Sequence, residues 1–255
     1  MFRQIRILAL LLILLGVALT TWQTKMRTTD WDKSLWMVVY PINGDGSDAS
    51  QHYIDNLKES AFTPVATFLQ REASRYGVES NQPLTVKLAP VLDELPPTPP
   101  DSRNPLKIAW WSLKMRYWAL THNNFDGPSP DIQMFVLYHD PAQQQQVAHS
   151  LGLEKGLIGV VNAYAGKKMA ARNNVVIAHE MLHTVGASDK YDVSTKLPVY
   201  PVGYADLNRV PLHPQSKAEI MAGRIPLSEQ EAVMPSGLKS TMVGETTAIE
   251  IRWLR

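Results

Sequence analysis

The stretch AHEMLHTVGASDKYD, Ala178 to Asp192, decides how the rest of the chain is read. His179 and His183 stand four apart, and Glu180 follows the first directly. Gly186 comes three after the second histidine, and Asp189 three after that. Ala178, Met181, Leu182 and Val185 occupy i, i+3, i+4 and i+7, one apolar stripe on a helix running from about Asn174 to Val185. His179 and His183 then share another face, one turn apart. From there two imidazoles reach a single ion at metal–nitrogen distances of about 2.0–2.1 Å. Glu180 lies roughly 100° around the helix, near that ion but not directed at it. A carboxylate in that place is suited to take a proton from water activated at the ion.

A helix continuing past His183 would carry the chain away from the ion. Gly186 accepts positive φ, so the helix can end there and the chain double back. Asp189 is then placed to offer an oxygen as third ligand. The competing reading of the same residues is a surface helix with two solvated histidines. In that reading Gly186 only terminates the helix and Asp189 only occupies a turn.

Upstream, Leu35–Ile42 reads as a buried strand, stopped by Pro41 and the Asn-Gly-Asp-Gly turn. A helical stretch starts near Ser50, is broken and restarted at Thr63-Pro64, and is stopped by Gly77. PLTVKLAPV is a second strand. LPPTPPDSRNP holds five prolines in eleven residues and is expected to be irregular. In LKIAWWSLKMRYWALTH the residues Trp110, Leu113, Tyr117 and Leu120 form a stripe, with Trp111, Met115 and Trp118 beside it. That aromatic stripe is expected in the core. DIQMFVLYHD and GLIGVVNAYAG complete the strands before the motif helix. This order predicts an α+β or mixed α/β arrangement, a mixed sheet packed on one central helix.

Composition narrows the classes. With 255 residues, 45% hydrophobic and 19% charged, the chain is globular. Its net charge of +1 and the lack of a basic stripe give no reason to expect a nucleic-acid partner. The absence of cysteine excludes a disulfide framework, a cysteine-ligated zinc site and a thiol nucleophile.

The N-terminus is strongly biased. Arg3 and Arg6 precede ILALLLILLGVALTTWQT, and no charge falls between Ile7 and Thr24. As a helix this segment spans roughly 27 Å, enough for a hydrocarbon core. Residues 1–24 are therefore expected to be a membrane anchor, with a cleaved signal segment as the rival. Ala18-Leu19-Thr20, the nearest cleavage site, is a poor one. Residues 25–33 read as a tether and 34–255 as the domain that carries the motif. Arg3 and Arg6 are nearly balanced by Lys25, Arg27 and Lys33. A short basic tail ahead of a long domain still favours a periplasmic or extracellular domain, secreted if the segment is cleaved.

His179-Glu180-x-x-His183-x-x-Gly186-x-x-Asp189 resembles the metzincin zinc peptidase signature in its aspartate variant, as in snapalysin-type enzymes. Tyr191, two after the aspartate, matches a tyrosine of that group. AEIMAG, Ala218 to Gly223, resembles its Met-turn, which would make Met221 the methionine beneath the metal. The resemblance is confined to these two segments. It implies a zincin domain holding Zn2+ through His179, His183 and Asp189. It also implies Glu180 as general base, Tyr191 as hydrogen-bond donor to the developing oxyanion, and a protein or peptide substrate. An anionic third ligand implies activity at neutral to mildly alkaline pH. A substrate strand is expected to pair with an edge such as Leu157–Tyr164.

The chain departs from the group in three ways: it has no cysteine, it has an anchor-like N-terminus, and the Asp189–Met221 segment is longer. That length keeps a second zincin reading open, thermolysin-like, with Glu219 as third ligand and His213 behind it. The long segment is expected to form a cleft wall or lid. A non-catalytic envelope binding protein with a structural or lost metal, and a peptidase acting on a peptidoglycan cross-link, are the remaining alternatives.

Overall fold

The computed structural model describes residues 27–101, 104–154 and 156–254, with isolated positions 4, 6, 7 and 11. The anchor expected over residues 1–24 lies outside the described residues. Among the described residues no helix is long and apolar enough to cross a membrane.

The centre is a five-stranded sheet built from β1 (Leu35–Asn43), β2 (Leu84–Leu88), β3 (Ile132–His139), β4 (Leu151–Leu153) and β5 (Ile158–Tyr164), in the order β2-β1-β3-β5-β4. Four strands are parallel. β4 runs antiparallel to β5 and closes one edge. The chain is thus a mixed α/β protein with a mixed sheet. Central strands covered on both faces read as continuous apolar runs, and β1 is the example. Met37 and Val39 enter one core, while Val38, Tyr40 and Ile42 enter the other.

The first face is covered by α1 (Asp48–Asp55), α2 (Thr63–Arg75) and α4 (Ala170–Thr184), with α5 (Glu245–Glu250) joining near the C-terminus. The second face is covered by α3 (Pro105–Thr121). Ser47 caps α1 by accepting from Ser50 N, and Pro64 sits in the first turn of α2, as Thr63-Pro64 predicts.

Two expectations fail here. The α3 stripe Trp110, Leu113, Tyr117 and Leu120 is exposed. The opposite face, Trp111, Met115, Trp118 and Ala119, packs on the sheet. The irregular proline-rich segment helps to set this choice, because Trp111 Nε1 donates to the Pro97 carbonyl at 2.8 Å. Nor are residues 25–33 simply a tether. Thr28, Thr29 and Trp31 are buried, and the Trp31 indole donates to the Ile251 carbonyl at 2.7 Å.

Candidate metal centre

The motif helix forms as its spacing predicts, one turn earlier at the start. Ala178, Met181, Leu182 and Val185 are buried together in the first core. The edge strand holds the helix close. A Cβ on Gly152 of β4 would stand 2.4 Å from the Glu180 carbonyl oxygen and 2.6 Å from His183 Cβ. Only glycine permits that approach.

The helix ends in a Schellman turn. Gly186, at φ +106, donates to the His183 carbonyl, and Ala187 N to the Leu182 carbonyl. The turn also aims the second imidazole of the motif, since His183 Nδ1 donates to the Ala187 carbonyl at 2.7 Å. His179 takes its orientation from a distant segment. Its Nδ1 donates to the carbonyl of Ile220 at 2.9 Å, in the 3-10 turn Ile220–Ala222 that contains buried Met221.

With both Nδ1 atoms committed as donors, the Nε2 atoms carry lone pairs. They meet each other and Asp189. His179 Nε2 and His183 Nε2 are 3.1 Å apart, and Asp189 Oδ1 lies 3.2 and 3.1 Å from them. Three acceptor atoms facing one another at such distances call for a cation or an extra proton. A tetrahedral ion with bonds of 2.0–2.1 Å has ligand–ligand edges of roughly 3.4 Å, close to this triangle. These three residues form a group able to hold a metal ion.

Charge follows the geometry. Burial opposes ionisation of Asp189, but with the extra proton on the imidazoles their hydrogen bonds hold its carboxyl well below the usual carboxylate range. Burial works against the His179 cation, and its bond to Asp189 outweighs that and raises its pKa. Glu180 is buried and titrates above its ordinary value, chiefly through desolvation, with the histidine charges opposing. Its Oε2 has no hydrogen-bond partner in the protein. Leaving such an atom dry costs about 1–3 kcal/mol or more, and Glu180 lines a cleft of about 780 Å³ together with His179 and Tyr191. Burial and the Asp189 carboxylate push the Tyr191 phenol up to about 12.

Asp189 is carried on a pinned loop. Glu250 of α5 accepts from Ser188 N at 2.9 Å, Ser188 Oγ at 2.6 Å and Lys190 Nζ at 2.7 Å. Lys190 N donates to the Met221 carbonyl at 3.0 Å. The sequence alone assigned no role to Ile220, Ala187, Gly152, Lys190 or Glu250. Of these only buried Lys190, directly beside Asp189, carries a side-chain signal, and its partner is sixty residues away.

Glu219 stands outside this group. It is buried, and its carboxylate is spent on Ala222 N, Gly244 N and Thr247 Oγ1 at 2.9, 3.0 and 2.8 Å. His213 is engaged with the Tyr204 hydroxyl at 3.0 Å. The structure therefore brings together His179, His183, Asp189, Glu180 and Tyr191 and leaves Glu219 and His213 out. The expected edge at Leu157–Tyr164 is corrected over its first half: β4 pairs with Ile158–Val160 and is the outer strand there. Of the long 190–220 segment, Tyr191 and Lys196 line the cleft. Neither protein-family models nor curated proteins give a match to this chain.

Proposed function

We propose that the chain is a zinc-dependent endopeptidase of metzincin type, exported and held to a membrane by its N-terminal apolar segment. The observation that carries this reading is the triangle of His179 Nε2, His183 Nε2 and Asp189 Oδ1, with the unpartnered Glu180 Oε2 beside it in an open cleft. Three protein ligands leave one position for substrate or water, the pattern of a catalytic rather than a structural zinc site. Zinc, when bound, supplies Lewis-acid polarisation of water and of the scissile carbonyl.

The protein's own groups do the rest. Glu180 accepts the proton of the attacking water, its basicity raised by burial. The same carboxyl then delivers that proton to the leaving amine. The Tyr191 phenol stays protonated across the working range and donates a hydrogen bond to the developing oxyanion. The carbonyls of Ile220 and Ala187 keep both imidazoles in one tautomer and orientation. β4, the outer strand beside α4, offers the edge on which an extended peptide can pair.

The test is metal content and peptide hydrolysis of the full chain. One zinc per chain is expected, lost in Asp189→Ala and kept in Glu219→Ala. Glu180→Gln should keep the metal and lose roughly a hundred- to ten-thousandfold in turnover. Turnover surviving in Glu180→Gln would overturn the base assignment, and zinc surviving in Asp189→Ala would overturn the ligand set.

A further inference from the structure

Helix α3 leaves an apolar stripe uncovered among the described residues. Leu106, Trp110, Leu113, Tyr117 and Leu120 are 78, 62, 54, 70 and 76% exposed. They recur at spacings of four, three, four and three and so occupy one narrow face of the helix. Contiguous exposed apolar surface of this kind marks an interaction site.

The flanks indicate what it meets. Lys107 and Lys114 border the stripe on one side and Arg116 on the other. Pro105–Thr121 contains no Asp or Glu. Lys114 Nζ lies 5.8 Å from the Trp110 ring centroid, so the cation and the aromatic ring sit together. Protein–protein interface cores are depleted in lysine. Helices that lie in a bilayer surface combine Trp, Tyr and Leu on one face with basic residues at its borders.

The chain path gives a second reason. Arg27 pairs with Asp131 at 2.8 Å, and Asp131 accepts from Trp36 N at the start of β1. Two residues on, Gln133 donates to the Ala119 carbonyl near the C-terminal end of α3. The chain therefore enters the domain at the end of the sheet where α3 finishes. The uncharged segment Ile7–Thr24 precedes that entry by only two residues.

We propose that α3 lies on an anionic membrane surface. Leu106, Trp110, Leu113, Tyr117 and Leu120 sit at the boundary of headgroups and acyl chains, and the exposed Lys107 and Lys114 contact lipid phosphates. The proposal takes its orientation from the reading of residues 1–24 as an anchor in the same bilayer. It turns the metal-bearing helix, on the other face of the sheet, away from the lipid.

The chain has no cysteine, so Leu113→Cys introduces a single thiol. Val210→Cys, at a position 93% exposed in the segment between Tyr204 and Ala218, is the reference. Each full-length variant is bound to phosphatidylcholine vesicles with or without about 30 mol % phosphatidylglycerol, and alkylation by a membrane-impermeant maleimide is timed. On anionic vesicles the thiol at 113 should react about tenfold more slowly than the reference. The protection should fade on phosphatidylcholine alone, or when Lys107→Glu and Lys114→Glu are added. Equal rates on anionic vesicles, with the chain still floating with them, would leave the anchor and overturn the α3 proposal. Protection that ignores lipid charge and the two glutamates would give the stripe to a second copy or to the N-terminal segment, and would also overturn it. Flotation on anionic vesicles alone, reversed by high salt with position 113 protected, would keep the proposal and overturn the anchor. A chain that floats with neither vesicle would overturn both.

Discussion

Helices α3 and α4 lie on opposite faces of one sheet, and each carries an apolar stripe that is evident in its sequence. In α4 the stripe Ala178, Met181, Leu182 and Val185 is the one that packs, and the polar face left over carries the histidines. In α3 the apparent stripe points outward and the opposite face packs. A helix with one apolar face has one way to satisfy the hydrophobic effect. A helix with two is positioned by finer contacts, here the Trp111 indole on the Pro97 carbonyl. Periodicity therefore identifies a face as apolar without saying whether protein or something else covers it.

The largest expected effect separates the two stripes directly. Leu182→Ala should cost about 2–5 kcal/mol in urea unfolding, because it empties a buried site. Leu113→Ala, on the exposed stripe, should change stability by about 0.5 kcal/mol or less. Similar losses from both would break the contrast. Next, Gly152→Ala pushes a methyl group against the backbone of α4 at Glu180. A cost of about 1–3 kcal/mol is expected, together with weaker metal retention against a chelator. A variant with wild-type stability and metal content would show that α4 does not depend on β4 for its position.

A smaller effect is expected from Glu250→Gln, which weakens the clamp on Ser188 and Lys190. Metal affinity should fall roughly tenfold or more, measured by competition with a chromophoric chelator. Wild-type affinity would mean that Asp189 holds its place without α5. The smallest effect concerns pH. Burial opposes the Glu250 charge, but Lys190 and Ser188 outweigh it and hold the carboxyl below its ordinary value. The stability contributed by this ion pair is then complete above the unfolded value of about 4.3 and is lost as pH falls through the folded value. The stability difference between wild type and Glu250→Gln should be present at neutral pH and fade below roughly pH 4. A difference that grows on acidification would reverse the assignment.

The legible part of the fold is the part written in local pattern. β1 and the motif helix are set by hydrophobic runs and spacing, and Gly77 and Gly186 both adopt positive φ where the chain must turn. His179, Glu180, His183 and Asp189 are legible because their spacing in sequence is their spacing in space. The supporting atoms are not. Ile220 and Ala187 act through backbone carbonyls, which every residue possesses, so no side-chain signal reports them. Glu250 reaches Asp189's neighbours from sixty residues away. Glu219 looked like a ligand because an acidic residue near a metal motif has the right chemistry. Its three donors, Ala222 N, Gly244 N and Thr247 Oγ1, are visible only once the chain is folded.

The hydrogen bond from Lys190 N to the Met221 carbonyl also has a consequence for how this protein can vary. It draws a neck between the segment holding Asp189 and the turn orienting His179, and the antiparallel bridge between Tyr204 and Ala218 narrows the excursion again. Past a closed neck, added length costs only about 0.6 kcal/mol for each doubling of the loop. The stretch beyond Tyr204 is thus a socket in which sequence can be lengthened, shortened or exchanged while the centre keeps its shape. Anyone wishing to graft a recognition element onto this loop has the splice points already marked.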